Sequence, residues 1–158
     1  MEYNILTEIY NCIESIIDSG YKCSISDDIG LCILFANKYK SNGIDRDYSI
    51  FKNALNRLVN VNEITESNII SGSSGVLWLL KYLKKIEVLD FSNSKIKNLE
   101  EHTVKQFISS LSVNNWDYYS GAIGHVIALD NSSCYKDFLG YLKKNIMRIS
   151  AIPSQPFR

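Results

Sequence analysis

Apolar residues recur at steps of three or four along most of the chain, which is the spacing of one face of an α-helix. The first such stretch covers residues 3–18, where Ile5, Ile9, Cys12 and Ile16 fall on one face and Gly20 is placed to end the helix. The same two-faced pattern returns at residues 46–60, 94–111 and 132–148. It predicts four helices that each bury one side.

A second type of stretch, apolar on almost every side, alternates with the first. It covers residues 28–40, 73–88 and 121–129. A helix without a polar stripe is buried on most sides, so we expect these three helices to lie inside and the amphipathic ones outside.

The scarcity of proline also favours helices along the chain. Pro153 and Pro156 are its only two prolines and both fall in the last six residues, so nearly all of the chain lacks this strong helix breaker. The sequence therefore predicts one all-α domain at 1–149, followed by a tail at 150–158.

A short turn rich in serine and glycine precedes each apolar helix. The three turns read Ser26-Asp27-Asp28-Ile29-Gly30, Ser71-Gly72-Ser73-Ser74-Gly75 and Ser120-Gly121-Ala122-Ile123-Gly124. Their last glycines are separated by 45 and then 49 residues, a period typical of a repeated helix pair in a solenoid or toroid.

The second and third turns share Ser-Gly-x-x-Gly, whereas the first has Asp27 in place of a glycine. Ser26 or Asp27 is expected to cap the helix that follows. We predict structural turn roles for five glycines, Gly30, Gly72, Gly75, Gly121 and Gly124. The simpler alternative is helix capping within an ordinary bundle.

Charge and composition limit the classes of partner that the chain can be expected to bind. Lys+Arg and Asp+Glu both number 17, so the chain lacks the basic surplus that nucleic acid or an anionic membrane would attract. No apolar run is as long as a membrane span, and the start does not read as a signal peptide. We therefore expect a cytoplasmic protein, with no nucleic acid among its partners and no membrane span.

The chain has four cysteines, at positions 12, 23, 32 and 134. None forms a Cys-x-x-Cys pair, and neither His102 nor His125 stands at metal-ligand spacing from any of them. The sequence predicts reduced, mostly buried thiols and no metal site made wholly by this chain.

Two segments carry a family resemblance. NIISGSSGVLWLLKYL at 68–83 and WDYYSGAIGHVIAL at 116–129 resemble the N-terminal half of the lanthionine synthetase C-like family, whose inner helices open with Gly-x-x-Gly turns. The resemblance extends over residues 20–145 and is weakest at the first turn. It implies an incomplete α/α toroid: about seven helices, or half a ring.

The family closes thioether rings in ribosomal peptides. Its zinc ion binds the substrate cysteine, the thiolate adds to a dehydroalanine or dehydrobutyrine, and an acid protonates the resulting enolate. The zinc ligands of the family lie in the C-terminal half of its ring. The resemblance therefore implies a chain that carries no zinc itself and is inactive alone.

One active-site position of the family falls within this chain. It is the aspartate four residues before the first glycine of the third turn, here Asp117. The alternative is a loop acid that caps the following helix. His125 is either a partner of Asp117 or a buried histidine in the first turns of its helix. The neighbouring aromatic residues either line a peptide groove or pack locally: Trp116, Tyr118 and Tyr119.

Three functions stay open at this stage. The first is the N-terminal part of a lanthionine synthetase C-like protein, from a truncated or split gene or a fragment, whose partners are a peptide substrate and the missing C-terminal half. The second is a non-catalytic helical-repeat module that binds a partner protein, or closes a ring with a second copy as a homodimer. The third is part of a glycosidase-like or terpenoid-cyclase-like toroid. Glycosidases need paired carboxylates, and Asp27, Asp28 and Asp117 are the only acids near the turns.

Overall fold

The computed structural model describes residues 5–60, 66–90 and 93–130, together with residues 135, 136, 139 and 140. These residues form six α-helices and no strand, which confirms the all-α class over this part of the chain. The helices are α1 (Ile5–Asp18), α2 (Ile25–Asn42), α3 (Asp45–Asn60), α4 (Ser73–Lys85), α5 (Asn93–Ser112) and α6 (Ala122–Ala128). The helix predicted at 132–148 lies mostly outside the described residues, and the tail at 150–158 lies entirely outside them.

Helix α2 begins three residues earlier than predicted, because Ser24 caps it. The Ser24 hydroxyl accepts the Asp27 amide at 3.3 Å, and the Asp27 carboxylate accepts the Ser24 amide at 2.8 Å. This capping box satisfies amides that would otherwise lack a partner. The prediction of Ser26 or Asp27 as the cap is therefore wrong, and Gly30 lies inside α2 rather than in a turn before it.

Helices α4 and α6 begin directly after the first glycine of the predicted turns, so Gly75 and Gly124 are the third residues of these helices. Gly72 and Gly121 are their N-cap residues, and both have extended backbones, with φ of −113° and −110°. Helix α4 ends at Lys85, three residues earlier than predicted. Beyond it, Glu87 adopts a left-handed conformation with φ of 57°, which no helix continues through.

The three apolar helices lie side by side in the order α2, α4, α6, and α3 and α5 pack against them. Helix α4 contacts α2 and α6, while α3 packs on α2, and α5 packs on both α4 and α6. Most of α4 is buried, including its first two serines. The largest fully buried apolar side chains come from α2, α3, α4 and the end of α6: Phe35, Phe51, Leu77, Leu79, Leu83 and Leu129.

Ion pairs on buried or partly buried carboxylates join the first three helices. The Lys38 ammonium of α2 lies 2.9 Å from Glu14 Oε1 of α1 and 2.9 Å from Asp47 Oδ1 of α3. A second ion pair joins α3 to α2. Arg57 Nη2 of α3 lies 2.6 Å from Asp28 Oδ1 of α2, and Arg57 Nε lies 3.0 Å from both oxygens of that carboxylate. Asp28 and Asp47, the buried acids among the described residues, are thus each paired with a cation, which offsets the cost of burying a charge.

Candidate functional site

The second turn (residues 66–75) and the third turn (residues 115–124) share one backbone hydrogen-bond pattern. The Gly72 amide donates to the Asn68 carbonyl at 3.1 Å, and the Gly121 amide donates to the Asp117 carbonyl at the same distance. The next amide of each turn also reaches back into its loop at 3.0 Å: Ser73 to Glu66, and Ala122 to Asn115. The two turns are therefore copies of one structure, and Asn68 stands where the third turn has Asp117.

Glycine is required in both turns by lack of space. A Cβ added to Gly121 would lie 2.5 Å from the Asp117 amide nitrogen and 2.7 Å from its carbonyl oxygen. A Cβ on Gly72 would overlap the backbone of Asn68 in the same way. Because these contacts are with backbone atoms, no side-chain rotation relieves them. The Ser-Gly pair recognised in the sequence thus holds each loop closely beneath the start of its helix.

The two turns also contact each other directly. The Ile69 amide of the second turn donates to the Tyr119 carbonyl of the third turn at 3.1 Å. The Tyr119 hydroxyl lies 3.5 Å from the Ser71 hydroxyl. The N-terminal ends of α4 and α6 are thereby joined by backbone as well as by side chains.

Asp117 lies in the loop of the third turn, exposed to solvent. Its carboxylate accepts the Ser120 amide at 2.6 Å and lies 3.2 Å from the Ser120 hydroxyl. The Ser120 amide bond is the main cause that holds the pKa of Asp117 below its usual range, with further help from the amides of Tyr119 and Tyr118. Asp117 is therefore an ionised acceptor at neutral pH rather than a proton donor.

The three aromatic residues beside Asp117 are also on the surface. Trp116, Tyr118 and Tyr119 are 38%, 57% and 45% exposed. They flank Asp117 in the chain segment that joins α5 to α6. Exposed aromatic side chains of this kind are enriched where proteins contact their partners.

The structure does not join Asp117 to His125. His125 is 1% exposed, and its Nδ1 lies 2.8 Å from the Ser74 hydroxyl at the start of α4. Its Nε2 is buried and has no hydrogen-bond partner among the described residues. His125 and Asp117 thus have different partners. Of the two roles considered for His125, the pairing with Asp117 is not formed, and His125 is a buried residue that couples α6 to α4.

Burial of His125 predicts a pH-dependent stability. Desolvation is the larger cause that lowers its pKa, and His102 lowers it further. The folded state therefore favours neutral His125, while an unfolded chain takes up the proton near its ordinary pKa of about 6.5. We expect full stability above that pH and a decline as the pH falls below it, by at most about 1.4 kcal/mol for each unit by which the pKa is lowered.

Urea denaturation at intervals between neutral pH and mildly acidic pH measures this decline. His125→Val should remove the part of the decline that this side chain causes, since valine occupies the matching position of the second turn, Val76. His102→Gln should keep most of the decline, because burial is the larger cause. Equal slopes for wild type and His125→Val would contradict the prediction.

The cysteines do not form a site in the described part of the chain. Cys12 is exposed, Cys23 is half-buried and Cys32 is buried, and all three are free thiols. Burial raises the pKa of Cys23, and raises that of Cys32 to about 12, so both thiols stay protonated at neutral pH. Cys134 lies outside the described residues.

The described residues contain neither a metal-binding cluster nor a membrane-spanning helix. Among residues 5–60, 66–90 and 93–130, no group of three or more His, Cys, Asp or Glu side chains is placed to hold a metal ion. None of the helices described combines the length and apolar character that crossing a bilayer requires.

Comparison of the chain with protein-family models, with curated proteins and with solved structures gives no match. Over the part of the chain that the structure describes, the fold and the site define an all-helical arrangement with two equivalent, adjoining glycine turns. The family resemblance of the two turn segments stays a prediction.

The sequence analysis did not identify two residues of the site, Asn68 and Ser74. Asn68 is buried, and its side-chain oxygen accepts the amides of Ile70 and Ser71 at 2.9 and 2.6 Å, as Asp117 accepts that of Ser120. Alignment of the two turns would have revealed Asn68 as the counterpart of Asp117. A buried histidine where the second turn has valine was the available signal for a polar partner, here Ser74.

Proposed function

We propose that this chain is the N-terminal portion of a lanthionine synthetase C-like peptide-modification protein, and that it does not cyclise peptides by itself. The observation that supports this most strongly is the pair of equivalent glycine turns joined by the bond from the Ile69 amide to the Tyr119 carbonyl. In a toroid of helix pairs, successive turns recur with one geometry and lie side by side along one rim.

The packing order supports the same proposal. A ring of inner helices requires each one to contact an inner neighbour on both sides, as α4 contacts α2 and α6. An ordinary bundle places no such demand on every second helix. Under the proposal, α2, α4 and α6 form an arc of the inner ring, and further helix pairs complete it.

In this proposal the third turn contributes to peptide binding at the rim. The Asp117 carboxylate is exposed, ionised and fixed by the Ser120 amide, so it accepts hydrogen bonds from a peptide without reorganising. Trp116, Tyr118 and Tyr119 offer apolar contact area around it. The described residues do not supply a zinc ligand set, so we assign them binding and orientation of the peptide and no step of the cyclisation.

A peptide-binding measurement tests this role. The probe is a set of fluorescein-labelled peptides with one dehydroalanine or dehydrobutyrine and a cysteine downstream, followed by fluorescence anisotropy. We expect binding to the chain without loss of the free thiol, which maleimide labelling and mass spectrometry measure. Asp117→Asn should weaken binding by about five- to ten-fold, the effect of one lost charge-assisted hydrogen bond.

Asp90→Asn is the matched control, since Asp90 is an exposed acid away from the turns. It should leave the peptide affinity unchanged. Absence of binding, or equal binding by both variants, would show that the third turn does not contact such peptides. Thiol loss catalysed by the chain alone would disprove its proposed inactivity.

A non-catalytic interaction module is the second candidate, and α1 favours it. Ile5, Ile9 and Ile16 lie on α1 and are 66%, 47% and 46% exposed. An exposed apolar stripe of this kind recruits a partner helix or a second copy of the chain. Sedimentation separates these partners, because a monomer at tens of micromolar excludes ring closure by a homodimer in that range.

A further inference from the structure

A cavity of about 860 Å³ opens between α4, α5 and the end of α6. Its lining combines four lysines with two aromatic rings, and we name it the lysine groove: Lys81, Lys84, Lys85, Lys97, Trp78 and Tyr82. Trp78 precedes the lysines along α4, and Lys97 faces them from α5. The groove therefore has an aromatic wall and cations from two helices.

The aromatic wall is held in place. The rings of Trp78 and Tyr82 are stacked, with centroids 5.5 Å apart and planes 5° from parallel. The Tyr82 hydroxyl accepts Asn37 Nδ2 at 2.7 Å and donates to Asn37 Oδ1 at 3.0 Å. Trp78 is still 36% exposed. A fixed aromatic surface loses little conformational entropy when a ligand packs on it.

The groove already binds one carboxylate of its own. Lys81 Nζ lies 2.8 Å from Glu100 Oε1 and donates to the Asp130 carbonyl at 3.2 Å. Lys85 and Lys97 form no ion pair with any residue that the structure describes. Lys81 is paired with Glu100, and Lys85 and Lys97 outnumber the remaining acid of the lining, Asp130, so these residues leave the groove positive.

Helix ends do not explain this charge fully. Lys84 and Lys85 lie in the last turn of α4, where cations interact favourably with the negative end of the helix dipole. Lys97 lies in the second turn of α5, beyond the turn in which that helix dipole acts, so its contribution to the positive charge is independent of a helix end.

We propose that the lysine groove binds an acidic peptide segment with a central apolar side chain. The peptide carboxylates pair with Lys85 and Lys97, and the apolar side chain packs against Trp78. Charge complementarity sets the direction of approach, while the aromatic contact supplies affinity. The inference goes beyond the proposed function, since α4 places its last turn roughly 18 Å from the glycine turn at its start.

Fluorescence anisotropy with a short labelled peptide of Asp and Glu around a central Phe-Leu pair tests the proposal on the full chain. We expect saturable binding accompanied by a change in Trp78 fluorescence. Lys85→Glu with Lys97→Glu should weaken the affinity by more than about ten-fold. Trp78→Ala should also weaken it, and added salt should lower the affinity for wild type.

The control is Lys22→Glu with Lys52→Glu, which changes the formal charge equally at exposed positions outside the groove. This variant should bind within about two-fold of wild type, a difference of less than about half a kcal/mol. Circular dichroism confirms that every variant is folded. Equal loss of affinity in both double variants, equal binding of a Lys- and Arg-rich peptide, or no binding of the acidic peptide would each overturn the proposal.

Discussion

Replacing Gly75 or Gly124 with alanine is expected to lower the free energy of unfolding by about 3 kcal/mol, the upper range for a forced steric overlap. A Cβ on Gly75 would overlap the carbonyl oxygen of Ile69, and a Cβ on Gly124 would overlap that of Tyr118. On Gly75 it would also lie 3.2 Å from Ile29 Cδ1 of α2. Both carbonyls belong to loops held by the turn hydrogen bonds, so the helix start has to move instead.

Gly30→Ala is the matched control. Gly30 lies inside α2, and a Cβ there would meet nothing within 4 Å. Alanine should therefore stabilise the protein by about 0.5–1 kcal/mol, because it favours the helix and restricts the unfolded chain. Urea denaturation followed by circular dichroism measures all three variants. If Gly75→Ala shifted the midpoint upward as Gly30→Ala does, the close approach of loop and helix would be disproved.

Replacing Lys38 with methionine is the second change with a large expected effect, also about 3 kcal/mol of destabilisation. The Lys38 side chain is 19% exposed, and its ammonium contacts Glu14 and Asp47, whose side chains are 18% and 2% exposed. Methionine fills most of the space but leaves the Asp47 carboxylate buried without its cation. Unpaired buried charge, rather than lost packing, is the cause of the expected loss.

Two companion variants isolate that cause. Arg46→Met removes a cation that is 56% exposed, so it should change stability by less than about 1 kcal/mol. Lys38→Met combined with Asp47→Asn should recover part of the loss, since the amide that replaces the carboxylate is uncharged. Chemical denaturation compares the three. A double variant no more stable than Lys38→Met alone would show that packing dominates instead.

Much of the fold was predictable because helix periodicity is a local property of the sequence. The helices at 5–18, 45–60 and 93–112 lie within two residues of their predicted bounds at each described end. The start of α2 could not be predicted in this way, because Ser24, Ser26 and Asp27 all have side chains able to cap a helix. Only the reciprocal bonds between Ser24 and Asp27 select the first of them.

The site was predictable only where its residues repeat. The glycines of the second and third turns were visible as a shared motif, and the structure shows the space that requires them. The contact between Ser74 and His125 joins the starts of two helices that are 51 residues apart in sequence, so no local pattern contains it. The sequence also offered Asp117 and His125 as a pair by proximity, yet the turn directs one outward and buries the other.

The equivalence of Asn68 and Asp117 has a consequence for how such a protein evolves. Both side chains accept backbone amides through one oxygen, and the hydrogen bonds that define each turn come from backbone atoms and glycines. The turn backbone therefore forms with an amide in one copy and an acid in the other, and the codons of these two residues differ by a single nucleotide. By that one change the exposed third turn loses its carboxylate at little cost to the fold, whereas an acid in place of Asn68 would lie buried beside the Glu66 carboxylate.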